Sequence, residues 1–170
     1  MNKTEQDMAK KTETITLYIS ELLYDVKNRS YLTGLSRKNG DNFEEVANMQ
    51  ASDDEEHENQ LLRSIGNSFD RLKTKLSEYV VSSQTTSNNA LMSKTGTIGF
   101  ELVMPSNYNQ ATLDTITSEC TQYIENMTLA DWFRITNKPD YPEYETNAGD
   151  NLLHIREALN KRVRPVRPVI

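Results

Sequence analysis

Apolar residues recur at helical spacing near the start of the chain and predict a first helix. Their successive separations of three, one, three, one and three residues place all of them on one side of that helix. These residues are Ile15, Tyr18, Ile19, Leu22, Leu23 and Val26. The helix is expected to begin between Thr4 and Thr12 and to end between Asn28 and Gly34.

Two capping boxes, each a cap residue followed three positions later by Glu, predict the next two helices. The boxes are Asn42 with Glu45 and Ser52 with Glu55. The first predicts a short helix over residues 43 to 49, and the second predicts a longer helix that reaches Tyr79. The apolar residues of the longer helix alternate at three and four positions: Leu62, Ile65, Phe69, Leu72, Leu76 and Tyr79. This alternation indicates a seam against another helix, in the same chain or in a neighbouring subunit.

The second half of the chain predicts two further helices. The earlier one has its apolar residues between Leu113 and Met127, and we expect a kink or restart at Thr128 before an aromatic-rich segment. The later helix follows a turn bracketed by two prolines. Its apolar residues are Tyr144, Ala148, Leu152, Ile155 and Leu159.

One strand is predicted over residues 97 to 105, where apolar residues alternate with a period of two. The residues expected to mediate strand pairing are Ile98, Phe100 and Leu102. Because a lone strand is not stable, it requires a partner. Residues 89 to 93 are one candidate, and a strand from another subunit is the stronger one. Residues 82 to 97 are rich in Ser, Thr and Asn and predict a long polar loop.

The predicted fold is mostly α, a helical bundle of about four main helices with a short β-strand or hairpin and an extended C-terminal arm. Residues 1 to 163 form one predicted domain, since a chain of 170 residues has the length of an ordinary single domain. Residues 164 to 170 form the C-terminal arm, because its prolines are incompatible with a helix. The basic residues expected to contact a neighbouring subunit are Arg162, Arg164 and Arg167.

Composition narrows the class of protein. A formal net charge of -6 disfavours a general nucleic-acid binder, because neutralising phosphates requires a basic surface. A mean hydropathy of -0.71 without a long apolar run predicts no transmembrane helix, and no membrane partner is expected. The hydrophobic share of 36% is low for a globular domain, so we expect partners to complete a thin core.

The sequence shows no complete catalytic or metal-binding set. Asp54 with His57 and Asp150 with His154 have the helical spacing at which two ligands converge, but the Glu-x-x-His pairs of di-iron bundles are absent. His57 and His154 are the only histidines, and both are interpreted as structural because neither belongs to a complete ligand set. Cys120 falls on the apolar side of a predicted helix and is interpreted as a small buried hydrophobe. No glycine-rich phosphate loop is present. We therefore expect a protein that is not an enzyme and that uses no metal or cofactor.

The second half of the chain resembles a known group of proteins. The shared features are a strand closed by the Met-Pro-Ser-Asn turn at residues 104 to 107, a helix ending in the pair Trp132 and Phe133, a tyrosine-containing last helix, and a basic ending from Lys161 to Pro168. These features are similar to those of small connector, neck and tail-completion proteins of tailed bacteriophages, particularly phages of Bacteroidetes hosts, including crAss-like phages. The resemblance covers residues 97 to 168.

The resemblance implies a non-enzymatic virion structural protein, assembled in the host cytoplasm as a homo-oligomeric ring at the head-tail connector or in the tail. Its implied partners are other copies of the chain, the portal, and other neck or tail proteins. DNA would pass through the ring channel without sequence-specific contact. The residues expected at the oligomer interface are Ile98, Phe100, Leu102, Trp132, Phe133, Arg162, Arg164 and Arg167.

The alternative hypothesis is a soluble bacterial adaptor or regulatory helical bundle. In that case the acidic residues between Asp53 and Glu58 would bind a basic partner. The adaptor hypothesis predicts a stable monomer or dimer, whereas the connector hypothesis predicts a larger assembly.

Overall fold

The computed structural model describes residues 10 to 83 and 87 to 167, and their fold is mostly helical with a small antiparallel sheet. The expectation of a mostly α fold is confirmed. In these residues no helix has the length and apolar character needed to cross a membrane. In chain order the strands and helices are β1 (Lys11–Tyr18), α1 (Ile19–Ser36), α2 (Phe43–Met49), α3 (Glu55–Lys75), β2 (Val80–Ser83), β3 (Thr97–Met104), α4 (Leu113–Thr136) and α5 (Tyr141–Leu159).

Strand β3 lies between β1 and β2, and both pairs are antiparallel. β1 pairs with β3 along its whole length, so that Lys11 lies opposite Met104 and Tyr18 lies opposite Thr97. β2 pairs with the other edge of β3, with an irregular register near Val81. The sheet therefore joins a segment near the start of the chain to two segments from its middle.

The prediction that β3 pairs with another subunit, or with residues 89 to 93, is wrong. Both of its partners are strands of the same chain outside that stretch: β1 pairs with β3 over residues 97 to 104, and β2 pairs with it over residues 100 to 102. Ile98, Phe100 and Leu102 are at most 1% exposed. The aromatic ring of Phe100 stacks on that of Phe69 from α3, with 5.7 Å between the ring centroids. These strand residues belong to the core of the domain.

Strand β1 occupies the stretch where the sequence predicts the start of the first helix. Ile15 and Leu17 point into the core, while the threonines between and before them are exposed. This period of two suits β-branched residues, which favour extended backbone. The helix therefore begins at Ile19 rather than before Thr12, and Tyr18 is 60% exposed instead of buried.

Neither predicted capping box forms, although a helix follows each of them. The side-chain oxygen of Asn42 accepts a hydrogen bond from the backbone N–H of Asn39, outside α2. The hydroxyl of Ser52 contacts Asp54 and His57, and α3 begins without a side-chain cap. Both side chains bond locally within the connecting turns, a competition that is typical of Asn and Ser.

Helix α4 is the central helix and is continuous, so the predicted break at Thr128 is wrong. It contacts α1, α2, α3, α5 and β1. The Thr128 hydroxyl donates to the carbonyl oxygen of Ile124 at 2.7 Å, and this bond stays within the helix.

The apolar seam of α3 faces the core of the same chain. Its buried residues include Leu62, Ile65, Phe69 and Leu72, and Leu76 just after the helix is also buried.

Gly99 permits the close approach of β1 and β3, which makes it a test of the sheet. A Cβ atom at Gly99 would lie 2.1 Å from the carbonyl oxygen of Ile15, so Gly99→Ala must displace one strand. We expect a loss of about 2 kcal/mol or more in the free energy of unfolding, measured by urea denaturation. Gly149→Ala in α5 is the matched control, because apart from the adjacent backbone of its own helix no atom would lie within 4 Å of a Cβ atom there, and Ala favours a helix by about 0.8 kcal/mol. Equal stabilities of the two variants would contradict the strand register.

Candidate subunit interface

Helix α1 has a second apolar side that faces away from the core. Tyr24, Tyr31 and Leu35 are spaced by seven and four residues, which places them in one stripe along the helix, with Leu32 at its border. Tyr24 is 66% exposed and Tyr31 is 48% exposed. We call these four residues the outer face of α1. The opposite side of the helix is buried in the domain and includes Ile19, Leu22, Leu23, Val26 and Ser30.

The basic residues of α1 are held by acidic groups of the same chain. Lys27 Nζ lies 2.7 Å from a carboxylate oxygen of Asp53 and 2.7 Å from one of Glu58. Burial opposes the charge of Lys27, but the hydrogen bonds to both carboxylates outweigh it and raise its pKa. Arg37, the residue that follows α1, forms a two-point contact with Asp140, the residue that precedes α5.

Beneath α1, a polar network joins this helix to α4. Arg29 donates to Glu125 at 3.3 Å and to the side-chain oxygen of Asn126 at 2.7 Å. Glu125 is only 6% exposed and lies near the carboxylate of Asp25. Burial and the neighbouring charge of Asp25 raise the pKa of Glu125 to about 7, although Arg29 opposes the shift. One side of α1 is therefore positioned by a proton-sensitive contact.

The same network continues from α4 into α5. Asn126 donates to Asn151 at 2.7 Å, and Asn151 donates to Glu119 at 2.7 Å. His154 Nδ1 lies 3.5 Å from Glu119 on the exposed end of the network. Every buried side-chain polar atom in the described part of the chain has a hydrogen-bond partner. The network therefore orients the three helices relative to one another.

The C-terminal arm leaves the domain after a short tether. Val163 N–H donates to the carbonyl oxygen of Asn107 at 2.8 Å, and Asn109 N–H donates to that of Lys161 at 3.2 Å. Residues 164 to 167 are exposed, and among the residues that the structure describes no hydrogen bond joins them to the domain. Val166 is 90% exposed. The remainder of the arm, residues 168 to 170, lies outside the described residues.

Trp132 and Phe133, predicted at the oligomer interface, lie inside the domain. Trp132 is 7% exposed, and its indole N–H donates to the carbonyl oxygen of Met49 at 2.8 Å. His57 packs edge-on against the Trp132 ring at 5.0 Å between centroids. Phe133 is fully buried, with its ring 5.1 Å from that of Tyr144. The pair holds α4 against α5, against the end of α2 and against the first turn of α3.

Other residues with reactive side chains also have contacts within the fold. His57 Nδ1 accepts a hydrogen bond from the backbone N–H of Ser52 at 3.1 Å. Cys120 is buried, and burial raises the pKa of its thiol. Within residues 10 to 83 and 87 to 167, no three His, Cys, Asp or Glu side chains are placed to hold a metal ion.

The structure separates the eight predicted interface residues into two sets. The apolar ones are buried by the folding of the chain itself, whereas Arg162, Arg164 and Arg167 are exposed in or beside the arm. The chain matches no family model, no curated protein and no solved structure. The outer face of α1 was missing from the predicted set, although the spacing of Tyr24, Tyr31 and Leu35 is visible in the sequence.

The Glu125 contact predicts a pH-dependent stability. Because the pKa of Glu125 rises from 4.5 to about 7 in the folded chain, its contribution is fully present below pH 4.5 and is lost as the pH rises through 7. At about 1.4 kcal/mol per pH unit, the loss is about 3 kcal/mol. Glu125→Gln removes this charge. We therefore expect the free energy of unfolding of this variant, measured with urea, to change less between pH 4.5 and 7 and to exceed that of the unchanged chain at pH 8.

The control for that measurement is Glu45→Gln on the exposed side of α2, which removes a surface carboxylate without touching the network. A plot of its free energy of unfolding against pH should run parallel to that of the unchanged chain. If Glu125→Gln also ran parallel to the unchanged chain between pH 4.5 and 8, the assignment of the proton to this contact would be wrong.

Proposed function

We propose that this protein is a non-enzymatic structural subunit that assembles with copies of itself into a ring, at the head-tail connector or in the tail of a tailed bacteriophage. The observation that carries the proposal is the C-terminal arm. It is tethered at Val163 and then extends from the domain with its side chains exposed. An exposed segment with both valine and arginine side chains suits contact with a neighbouring molecule.

Charge supports a contact between copies of the chain. The arm carries Arg164 and Arg167 and no acidic residue, whereas the whole chain has a formal net charge of -6. The domain that precedes the arm is therefore more acidic than the chain as a whole. A basic arm and an acidic domain attract each other when they belong to different copies.

An arm that binds a different surface on the next copy forms a head-to-tail contact. Such contacts generate a ring when the rotation between neighbours closes. In this proposal α1, α3, α4 and α5 form the helical bundle of each subunit, and the outer face of α1 adds exposed aromatic surface of the kind found at protein interfaces.

The position in a phage particle follows from the resemblance of residues 97 to 168 to connector, neck and tail-completion proteins. In that setting the partners are the portal and other neck or tail proteins, and the protein belongs to the virion. An acidic channel wall would let DNA pass with little adhesion, because phosphates and carboxylates repel each other. No enzymatic step is required of such a subunit.

The adaptor hypothesis remains the second candidate, and a specific surface favours it. At the start of α3, Glu55 and Glu56 are exposed, whereas Glu58 is held by Lys27 and Lys94. The exposed carboxylates offer a site for a basic partner. An adaptor of this kind would remain a monomer or dimer at every concentration.

Removing the arm tests the proposal. A chain that ends at Val163 keeps the tether to Asn107 and should retain the circular dichroism spectrum and melting temperature of the full chain. We expect the full chain to form larger particles as its concentration rises in light scattering, and the shortened chain to stay at the mass of one subunit. Unchanged assembly of the shortened chain would remove the arm from the interface, and a full chain that is monomeric throughout would favour the adaptor hypothesis.

A further inference from the structure

The C-terminal arm contains a three-residue repeat. Arg164-Pro165-Val166 is followed by Arg167-Pro168-Val169. A polyproline II helix has three residues per turn, so it would place the arginines, the prolines and the valines on three separate edges. Proline fixes its own backbone angle and restricts the residue before it, which favours this conformation. The two prolines have the Pro-x-x-Pro spacing of segments that dock in aromatic-lined grooves.

The tether leaves the start of the arm available for such docking. Polyproline II has no internal hydrogen bonds, and residues 164 to 167 belong to no helix or strand, are exposed and make no hydrogen bond with the rest of the described chain. Arg162, three residues before Pro165, continues the proline edge by one turn. Its guanidinium group donates to the carbonyl oxygen of Leu159 at 2.9 Å, so the first turn is held against the domain.

The outer face of α1 offers aromatic rings at a matching spacing. Tyr24 and Tyr31 are seven residues apart, which is about 10.5 Å along a helix. Pro165 and Pro168 are three residues apart, which is about 9.3 Å along a polyproline II helix. Two prolines of the arm can therefore contact the two tyrosine rings together.

The charges around this face complement the arm. Lys27, Arg29 and Arg37 each form an ion pair inside the chain. Glu21, one turn before Tyr24, is exposed, and it has no ion pair among the residues that the structure describes. The arginine edge of an arm lying along α1 would meet this carboxylate rather than a free cation.

The separation within one copy favours a neighbouring copy as the partner. The C-terminal end of α1 is fixed at the start of α5 through Arg37 and Asp140, whereas the arm follows the end of α5. Helix α5 has 19 residues and is about 28 Å long. Residues 164 to 170 span about 22 Å as polyproline II. The arm is thus shorter than the distance between the two ends of α5.

We propose that the C-terminal arm of one copy docks as a polyproline II helix on the outer face of α1 of the next copy, with Pro165 and Pro168 against Tyr24 and Tyr31. The inference rests on the proposed function, because its partner is a second copy of this chain. It defines a head-to-tail contact in which every copy donates one arm and accepts one.

Peptide binding tests the contact directly. The probe is a fluorescent peptide of residues 161 to 170, and the receptor is the full chain with Pro165→Ala and Pro168→Ala, whose own arm competes weakly. We expect saturable binding in fluorescence anisotropy. Adding Tyr24→Gln and Tyr31→Gln should weaken it at least tenfold, whereas Ile135→Gln, which removes an even more exposed apolar side chain from α4, should leave it unchanged. Equal binding by the tyrosine variant would overturn the proposal.

Complementation between full-length variants tests the direction of the contact. The arm variant (Pro165→Ala with Pro168→Ala) and the face variant (Tyr24→Gln with Tyr31→Gln) should each remain monomeric. Mixed at equal concentrations, they should form a dimer and nothing larger, since the intact arm of one meets the intact face of the other. A mixture that stays monomeric would contradict the head-to-tail contact.

The outcomes separate this inference from the proposed function. If the full chain assembles and the face variant assembles equally well, the function stands and the docking face is wrong. If the unchanged chain is monomeric but the peptide binds the tyrosine face, the docking face stands and the assembly is wrong. Circular dichroism of each variant verifies that the exposed substitutions leave the fold intact.

Discussion

The pairing of β1 with β3 is the contact on which the rest of the domain depends. It joins residues 11 to 18 to residues 97 to 104, and the ladder continues one step further, where Ile19 N–H donates to the carbonyl oxygen of Gly96 at 3.1 Å. That bond ends the strand and begins α1. The sheet therefore sets the direction of α1, which in turn decides that Leu22 and Val26 face the core while Tyr24 and Tyr31 face outward.

Strand β1 depends on a partner that is distant in the sequence. This dependence explains which strands and helices can be predicted from local sequence patterns and which cannot. The strand after residue 97 and the short helix over residues 43 to 49 agree with their predicted positions. A local period of two marks the strand, whereas the helix forms without the capping box from which it is predicted. Ile15 fits a helical series and a strand equally well, and only pairing with β3 selects the strand. Local spacing carries no information about a partner more than eighty residues away.

The strand residues predicted at the subunit interface are buried for a related reason. A single visible strand indicates an incomplete sheet, and another subunit is one way to complete it. The chain completes the sheet itself with β1 and β2, so Phe100 stacks on Phe69 rather than on a neighbour. The exposure of the arginines near the C-terminus is easier to predict, since prolines exclude a helix and a segment with basic but no acidic residues favours solvent. Helix α1 has apolar residues on two sides. Its exposed set is recognised only when the residues of the outer face are traced separately from those of the buried side.

An arm of seven residues buries little surface, so a single contact between two copies is weak. Head-to-tail contacts gain strength from closure: in an open chain of copies one arm and one face stay unused, whereas a closed ring uses all of them. The last contact forms within one assembly, at an effective concentration far above that of free subunits. Because each arm contact is weak, subunits remain separate until enough copies meet. In the closed ring each copy is then held by contacts on two sides.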